Sequence, residues 1–322
     1  MGLDPSRRAQ LNLAKLKVLA KSAGADGLTP LGFPGGAAAS GDGTLWVLGD
    51  DLGTGLLGPS LAVALRAAYD RLVVITDDPT DAGVLARRAS YFAQPATIDA
   101  ASVDGTTLAI STRFAPREGA KRVPVAGFEV PAGVDVVHEH GVTSFEVRGL
   151  EIGRIENGEL AVGVGKHDRE GHRMANPDQD PVEALQAVAA RVLAERTADA
   201  PGGLMTSVGR ERWLRSIVCA HPELVGAAKL TAVAPPLPRD DLRVMSIAPA
   251  VGDGMVVACS VGVYPDLVPS AADARAMYSP DAELVLVVPE ADAIATTHRL
   301  AAALRAPARI VTVPANWAAM GD

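Results

Sequence analysis

Leu72-Val73-Val74-Ile75 and Leu284-Val285-Leu286-Val287 are uninterrupted apolar runs, and each is followed by a Pro-Ala-x-Ile segment, Pro95-Ala96-Thr97-Ile98 and Pro307-Ala308-Arg309-Ile310. The step from run to proline is the same in both places, Leu72 to Pro95 and Leu284 to Pro307. Short runs without polar alternation are expected of strands that helices cover on both faces. Upstream of each lies a Pro-Ser helix start, Pro59-Ser60 and Pro269-Ser270, itself preceded by another apolar strand. The chain therefore reads as an α/β protein carrying one β-α-β-α-β unit twice, over residues 45–98 and 256–313, in two pseudosymmetric copies. Two such units merge most simply into one parallel sheet or into two facing lobes.

Working outward, residues 1–43 read as an amphipathic N-terminal helix followed by a linker over 27–43, rich in glycine, alanine and proline. Residues 44–105 hold the first unit and 241–322 the second. Between them, 106–240 is an insertion with β-rich character up to about Lys166, including Val123-Pro124-Val125, the run 134–137, a longer run over 145–155 and another over 160–164. Asn157-Gly158 predicts a tight hairpin between the last two runs, because both positions tolerate positive φ. Helices are predicted over about 181–196, with Asp180 as N-cap and Glu183 in capping-box position, and over about 210–220.

With 322 residues, 48% of them hydrophobic and 21% charged, the chain is long enough for one large core or two ordinary ones. The net charge of −8 gives no global positive field to gather a polyanion. Two cysteines without a Cys-x-x-Cys pair argue against a disulfide framework or a zinc knuckle and suit a reducing cytoplasm. No apolar run approaches the roughly 20 residues a membrane helix needs, so no membrane partner is expected.

Gly53-Thr54-Gly55-Leu56-Leu57-Gly58 has the G-x-G-x-x-G spacing between a strand and a helix, with Asp77 ending the next strand. In a Rossmann-like unit, Gly53, Gly55 and Gly58 would let a pyrophosphate approach the helix N-terminus and Asp77 would take the ribose, making a nucleotide or dinucleotide the cofactor. Four of the six histidines, His138, His140, His167 and His172, fall in the insertion, where His138 and His140 would share one side of a strand. Gly163-Val164-Gly165-Lys166-His167-Asp168-Arg169-Glu170 packs acid, base and cation at the end of a predicted hairpin strand. His167, Asp168 and Glu170 are its acid/base or ligand candidates. In Arg210-Glu211-Arg212-Trp213-Leu214-Arg215, the arginines would meet phosphate near a helix start.

Asp135, followed after ten residues by Glu146-Val147-Arg148, resembles the PD-(D/E)XK nuclease superfamily, with Val134 in place of the usual proline and Arg148 in place of lysine. The resemblance implies a divalent ion, Mg²⁺ or Mn²⁺, on the two carboxylates Asp135 and Glu146 at the edge of a hairpin. Arginine holds a phosphate but does not readily act as a base. The chain also resembles a group of actinobacterial proteins through Gly149-Leu150-Glu151, residues 163–170, Glu211-Arg212-Trp213-Leu214-Arg215, Cys259-Ser260-Val261-Gly262 and Asp266-Leu267-Val268-Pro269. That likeness marks stretches and implies no activity.

The leading expectation is a metal-dependent phosphodiesterase or nuclease-like hydrolase acting on nucleic acid or nucleotide. Glu146, Arg148, His167, Asp168 and Glu170 would be catalytic, Asp135, Glu146 and Glu151 would hold the metal, and Arg169 and Arg212 would hold phosphate. The alternatives are non-hydrolytic nucleotide binding at Gly53, Gly55, Gly58 and Asp77, and a non-catalytic interaction protein.

Overall fold

The computed structural model describes residues 4–50, 52–115, 129–175, 178–200, 202–237 and 247–321, and shows a mixed α/β architecture with three sheets. Helix α1 (Pro5–Ser22) starts at Asp4, whose carboxylate accepts from the Arg7 amide at 3.3 Å. The stretch expected to be a linker instead forms strands β1 (Thr29–Leu31) and β2 (Gly36–Gly41), which pair antiparallel with each other and, through β2, with β3 (Thr44–Gly49). Gly36 serves close approach: a Cβ there would stand 2.1 Å from the Leu48 carbonyl oxygen. Asp42 and Gly43 turn the β2–β3 hairpin with φ of 49° and 71°.

From β3 the chain runs through α2 (Leu57–Ala67), β4 (Arg71–Thr76), α3 (Pro79–Ala89), β5 (Thr97–Asp104) and β6 (Thr107–Ile110). The sheet order is β1-β2-β3-β4-β5-β6, with β3, β4 and β5 parallel and β6 antiparallel at the edge. Val123-Pro124-Val125 lies outside the described residues.

The insertion then forms an antiparallel meander of β7 (Asp135–Glu139), β8 (Val142–Val147), β9 (Leu150–Glu156) and β10 (Glu159–Val162). Three X-Gly pairs turn it, His140-Gly141, Arg148-Gly149 and Asn157-Gly158, each with positive φ at both residues. The long run expected over 145–155 is thus broken at Arg148-Gly149, and His140 is a turn residue. Next come α4 (Gly165–Ala175), α5 (Pro181–Glu195), the short α6 (Leu204–Ser207) and α7 (Arg210–Ala220). Asp180 caps α5 by accepting from the Val182 and Glu183 amides at 2.7 and 3.1 Å.

The last sheet has the order β11 (Leu230–Ala232), β12 (Ala248–Gly252), β13 (Met255–Cys259), β14 (Glu283–Pro289), β15 (Arg309–Val313). Helix α8 (Leu267–Tyr278) joins β13 to β14, α9 (Ala295–Ala302) joins β14 to β15, and these three strands are parallel. Both sheets therefore extend beyond the boundaries at 44, 105 and 241, through β1, β2, β6 and β11.

Alternation along the strands sets the layers. Leu45, Val47, Leu72 and Val74 share one core with Val256, Ala258, Leu284, Leu286 and the apolar residues of α2, α3, α8 and α9, so these helices lie between two facing sheets. The opposite faces meet α1 (against Trp46, Leu48, Val73 and Ile75) and α7 (against Val257, Cys259, Val285 and Val287). Charges also cross the middle layer: Arg87 Nε and Nη2 donate to the two Asp273 oxygens at 2.7 and 2.8 Å, and Arg88 Nη1 donates to Asp266 Oδ2 at 2.9 Å. Among the described residues no helix is long and apolar enough to cross a membrane.

Candidate functional site

Helix α5 docks on the meander by its apolar stripe, Ala184, Leu185, Ala189 and Val192 packing against Phe145, Val147, Leu150, Ile152 and Val162. The start of α7 presses on the β8–β9 turn, where a Cβ on Gly149 would stand 2.3 Å from the Arg212 carbonyl carbon. Between β9, α4 and the start of α7 opens a cleft of about 710 Å³. Its walls come from three separate stretches, 149–156, 164–173 and 208–212, and carry Arg154, Lys166, Arg169, Arg173 and Arg212 among Glu151, Glu156, Glu170 and Glu211.

The three carboxylates expected to hold a metal do fall in one row. Asp135 on β7 is paired across the sheet with Glu146 on β8, which is paired with Glu151 on β9. The oxygens of Glu146 and Glu151, however, face arginines. Arg215 Nη2 donates to Glu146 Oε2 at 3.0 Å and Arg215 Nη1 to Glu139 Oε1 at 2.9 Å, while Arg212 closes the ring by donating to the other oxygen of each glutamate. All four side chains are buried. Burial opposes charge here, but Arg212 and Arg215 hold the Glu139 carboxyl below its ordinary range. Complete burial outweighs the same two partners at Glu146 and pushes its carboxyl up. Among the described residues no group of three or more His, Cys, Asp or Glu is arranged to hold a metal ion.

Glu151 accepts from Arg154 Nε and Nη2 at 2.7 and 3.0 Å and from Arg169 Nη1 at 3.0 Å. Arg169 Nε stands 3.2 Å from Glu156 Oε1, and Arg173 Nη2 is 3.6 Å from Glu156 Oε2. An alternating chain, Arg154–Glu151–Arg169–Glu156–Arg173, thus runs along the cleft from β9 to α4.

The other expected site residues separate. Residues 165–175 are helical, not a strand end. There Asp168 Oδ2 accepts from the Val164 amide at 2.7 Å and so closes the first turn of α4. His167 has a side chain 98% exposed, 3.8 Å from Glu170 Oε2, and Glu170 lines the rim of the cleft. Arg148 is a turn residue that donates to the Arg196 carbonyl oxygen at the end of α5. His138 Nδ1 is 2.8 Å from Thr143 Oγ1.

Gly53 and Gly55 lie in a short 3-10 turn, and Gly58 already belongs to α2. A Cβ on Gly58 would stand 2.4 Å from the Pro265 carbonyl, because the first turns of α2 and α8 cross there. That contact fills the space a pyrophosphate would need at Gly58. Asp77 pairs with Lys15 of α1 at 2.6 Å.

Sequence reasoning did not single out Arg154, Glu156, Arg173, Arg196, Glu139 or the partner role of Arg215. A signal existed for two of them: Arg169 and Arg173 are spaced i,i+4, and Arg212 and Arg215 i,i+3, so each pair shares a helix face. No family model, curated protein or solved structure matches the chain.

Proposed function

We propose that the protein binds a phosphate-bearing small molecule of nucleotide size in the cleft between β9, α4 and α7. The observation that carries this reading is the convergence of three stretches far apart in sequence, 149–156, 164–173 and 208–212, on one cavity rich in guanidinium groups. A volume of about 710 Å³ lies within the span of roughly 300–1,000 Å³ typical of small-molecule sites. Guanidinium forks match phosphate oxygens in geometry and charge. Lys166 and Arg173 are the exposed cations of the wall, so they meet an incoming anion first. Opposite charges alternate along the cleft and the chain is acidic overall, which favours a compact anion over a nucleic-acid strand.

Hydrolysis of the bound ester is the second reading, favoured by the carboxylates Glu170 and Glu211 on the same walls. The carboxylates expected to hold Mg²⁺ or Mn²⁺ do not fit that task in this arrangement, since Glu146 and Glu151 each accept from two arginines. We further infer that the two α/β units are pseudosymmetric, Rossmann-like copies. Supporting this are the recurring pairing order, the Gly-Asp-Gly turns at 41–43 and 252–254, and the Pro-Ser pairs. The free thiols of Cys219 and Cys259 suit a reducing cytoplasm.

The test is calorimetric titration of the full chain with inorganic phosphate, AMP and ATP, beside Arg173→Ala, followed by a phosphodiesterase assay with and without Mg²⁺ or Mn²⁺. Saturable binding of one of these, weakened about tenfold or more in the variant, is the expected result. Absence of binding, or binding indifferent to Arg173, overturns the reading.

A further inference from the structure

Helix α4 is held to the protein differently from its neighbours. α5 and α7 bury apolar side chains in cores, Leu185 and Val192 in one, Leu214 and Val218 in another. In α4 the buried side chain is a charged one, Arg169, at 5% exposure; His172 is half-buried and every other residue is exposed. A helix that is polar on all sides gains little from apolar burial, and an isolated helix this short is marginal in water. Its position therefore depends on charged contacts with β9, chiefly the buried Arg169, which reaches Glu151 at 3.0 Å and Glu156 at 3.2 Å, with Arg173 3.6 Å from Glu156. Gly163, with a positive φ of 141°, lies between β10 and α4, and glycine alone moves readily among such conformations. The cap made by Asp168 on the Val164 amide lies wholly within the 164–168 turn, so the helix keeps it when it moves.

We propose that α4 is a lid over the cleft, latched by Arg169 and hinged at Gly163. The helix swings out to admit an anionic ligand and closes when Arg169 seats again on Glu151 and Glu156. Lys166, Glu170 and Arg173 ride on α4, so the cationic wall that meets the ligand is complete only in the closed state. The lid rests on the reading of this cleft as the ligand site. Its latch is electrostatic, and salt weakens it where water has access.

Hydrogen exchange followed by mass spectrometry on the full chain tests this, with α5 and α7 as internal references. In low salt the amides of α4 are expected to exchange about tenfold faster than those of α5. In 0.5 M NaCl, where the Debye length is about 4 Å against about 30 Å at 0.01 M, and in Arg169→Gln, α4 should exchange faster still while α7 keeps its protection. ATP or AMP, whichever binds in the calorimeter, should slow α4. Exchange in α4 as slow as in α5 and unmoved by salt and by Arg169→Gln makes it a fixed wall and overturns the lid. Fast exchange that a bound ligand leaves unchanged overturns it as well. Salt- and Arg169-sensitive exchange without binding of any phosphate compound supports the moving helix and sinks the phosphate reading instead.

Discussion

Arg215 Nη2 donates to Glu146 Oε2 at 3.0 Å, and both side chains are only 2% exposed. Through this pair the helix that covers the outer face of the last sheet is also fastened to the meander that builds the cleft. Removing one partner of a buried pair leaves the other charge uncompensated, at a cost of about 3–5 kcal/mol. Glu146→Ala is therefore expected to lower stability by that amount in urea denaturation, and Glu146→Gln by less, since its amide oxygen still accepts. A loss below about 1 kcal/mol in Glu146→Ala is the result that would contradict a closed, buried ring.

Asp273 supplies a pH dependence of definite sign. Burial opposes its charge, but hydrogen bonds and charge from Arg87 and Arg88 hold its carboxyl below the ordinary value of 3.8. The folded state thus prefers the charged form. The resulting stability is present above pH 3.8 and is lost as pH falls through the lower folded value. Asp273→Asn should be strongly destabilising at pH 7, by roughly 3 kcal/mol, with the gap to the unaltered protein narrowing below about pH 3. Asp266, pushed up by burial against the pull of Arg88, runs in the opposite direction, so the difference between the two proteins is the quantity to measure. A gap that does not narrow as pH is taken from 7 down to about 2 would exclude the Arg87–Asp273 charge pair as its source.

Arg196 is a buried cation whose partners are carbonyl groups. It donates to Arg148 O at 3.0 Å, to Val208 O and Gly209 O at 2.9 and 3.3 Å, and to Met205 O, with its guanidinium 4.6 Å above the Trp213 ring. Burial lowers its pKa to about 10. A lysine cannot serve these directions at once, so Arg196→Lys leaves buried carbonyls unpaired and should cost about 2–4 kcal/mol. Faster hydrogen exchange at residues 204–209, the support of one cleft wall, should accompany it. Unchanged stability together with unchanged exchange would show that the fork is dispensable.

The strands β3, β4, β13 and β14 were legible because buried parallel strands are continuous apolar runs, and α5 because Asp180-Pro181 is a local start signal; the Pro-Ser pairs lie inside α2 and α8, two residues after their starts at Leu57 and Leu267. Residues 27–43 misled because a glycine needed for close approach, as at Gly36, looks in composition like a glycine in a linker. Of the three meander turns only Asn157-Gly158 is a dipeptide that by itself marks a tight hairpin; His140-Gly141 and Arg148-Gly149 are not such pairs, so two strand ends were hidden. The cleft was partly legible, in that 149–151, 163–170 and 211–215 were singled out. The role of Glu146 was not, because its arginine partners lie on another element more than sixty positions away, and burial of a charge is decided by such partners.

Gly58 separates the cleft from the glycine-loop alternative. It sits in helix α2, where alanine would ordinarily be favoured over glycine by about 1 kcal/mol. Here an added Cβ meets the Pro265 carbonyl at 2.4 Å and the Asp266 nitrogen at 2.5 Å, backbone atoms that cannot turn aside as a side chain would. Gly58→Ala should therefore destabilise by about 1–3 kcal/mol through overpacking. Gly171→Ala, on α4 with no atom within 4 Å of its added Cβ, should not destabilise and should show the ordinary helical gain. Phosphate-compound affinity of the folded Gly58→Ala protein should match that of the unaltered chain. Loss of binding in Gly58→Ala with stability intact would instead place the ligand at Gly53, Gly55 and Gly58, and the reading of the arginine-lined cleft would fall.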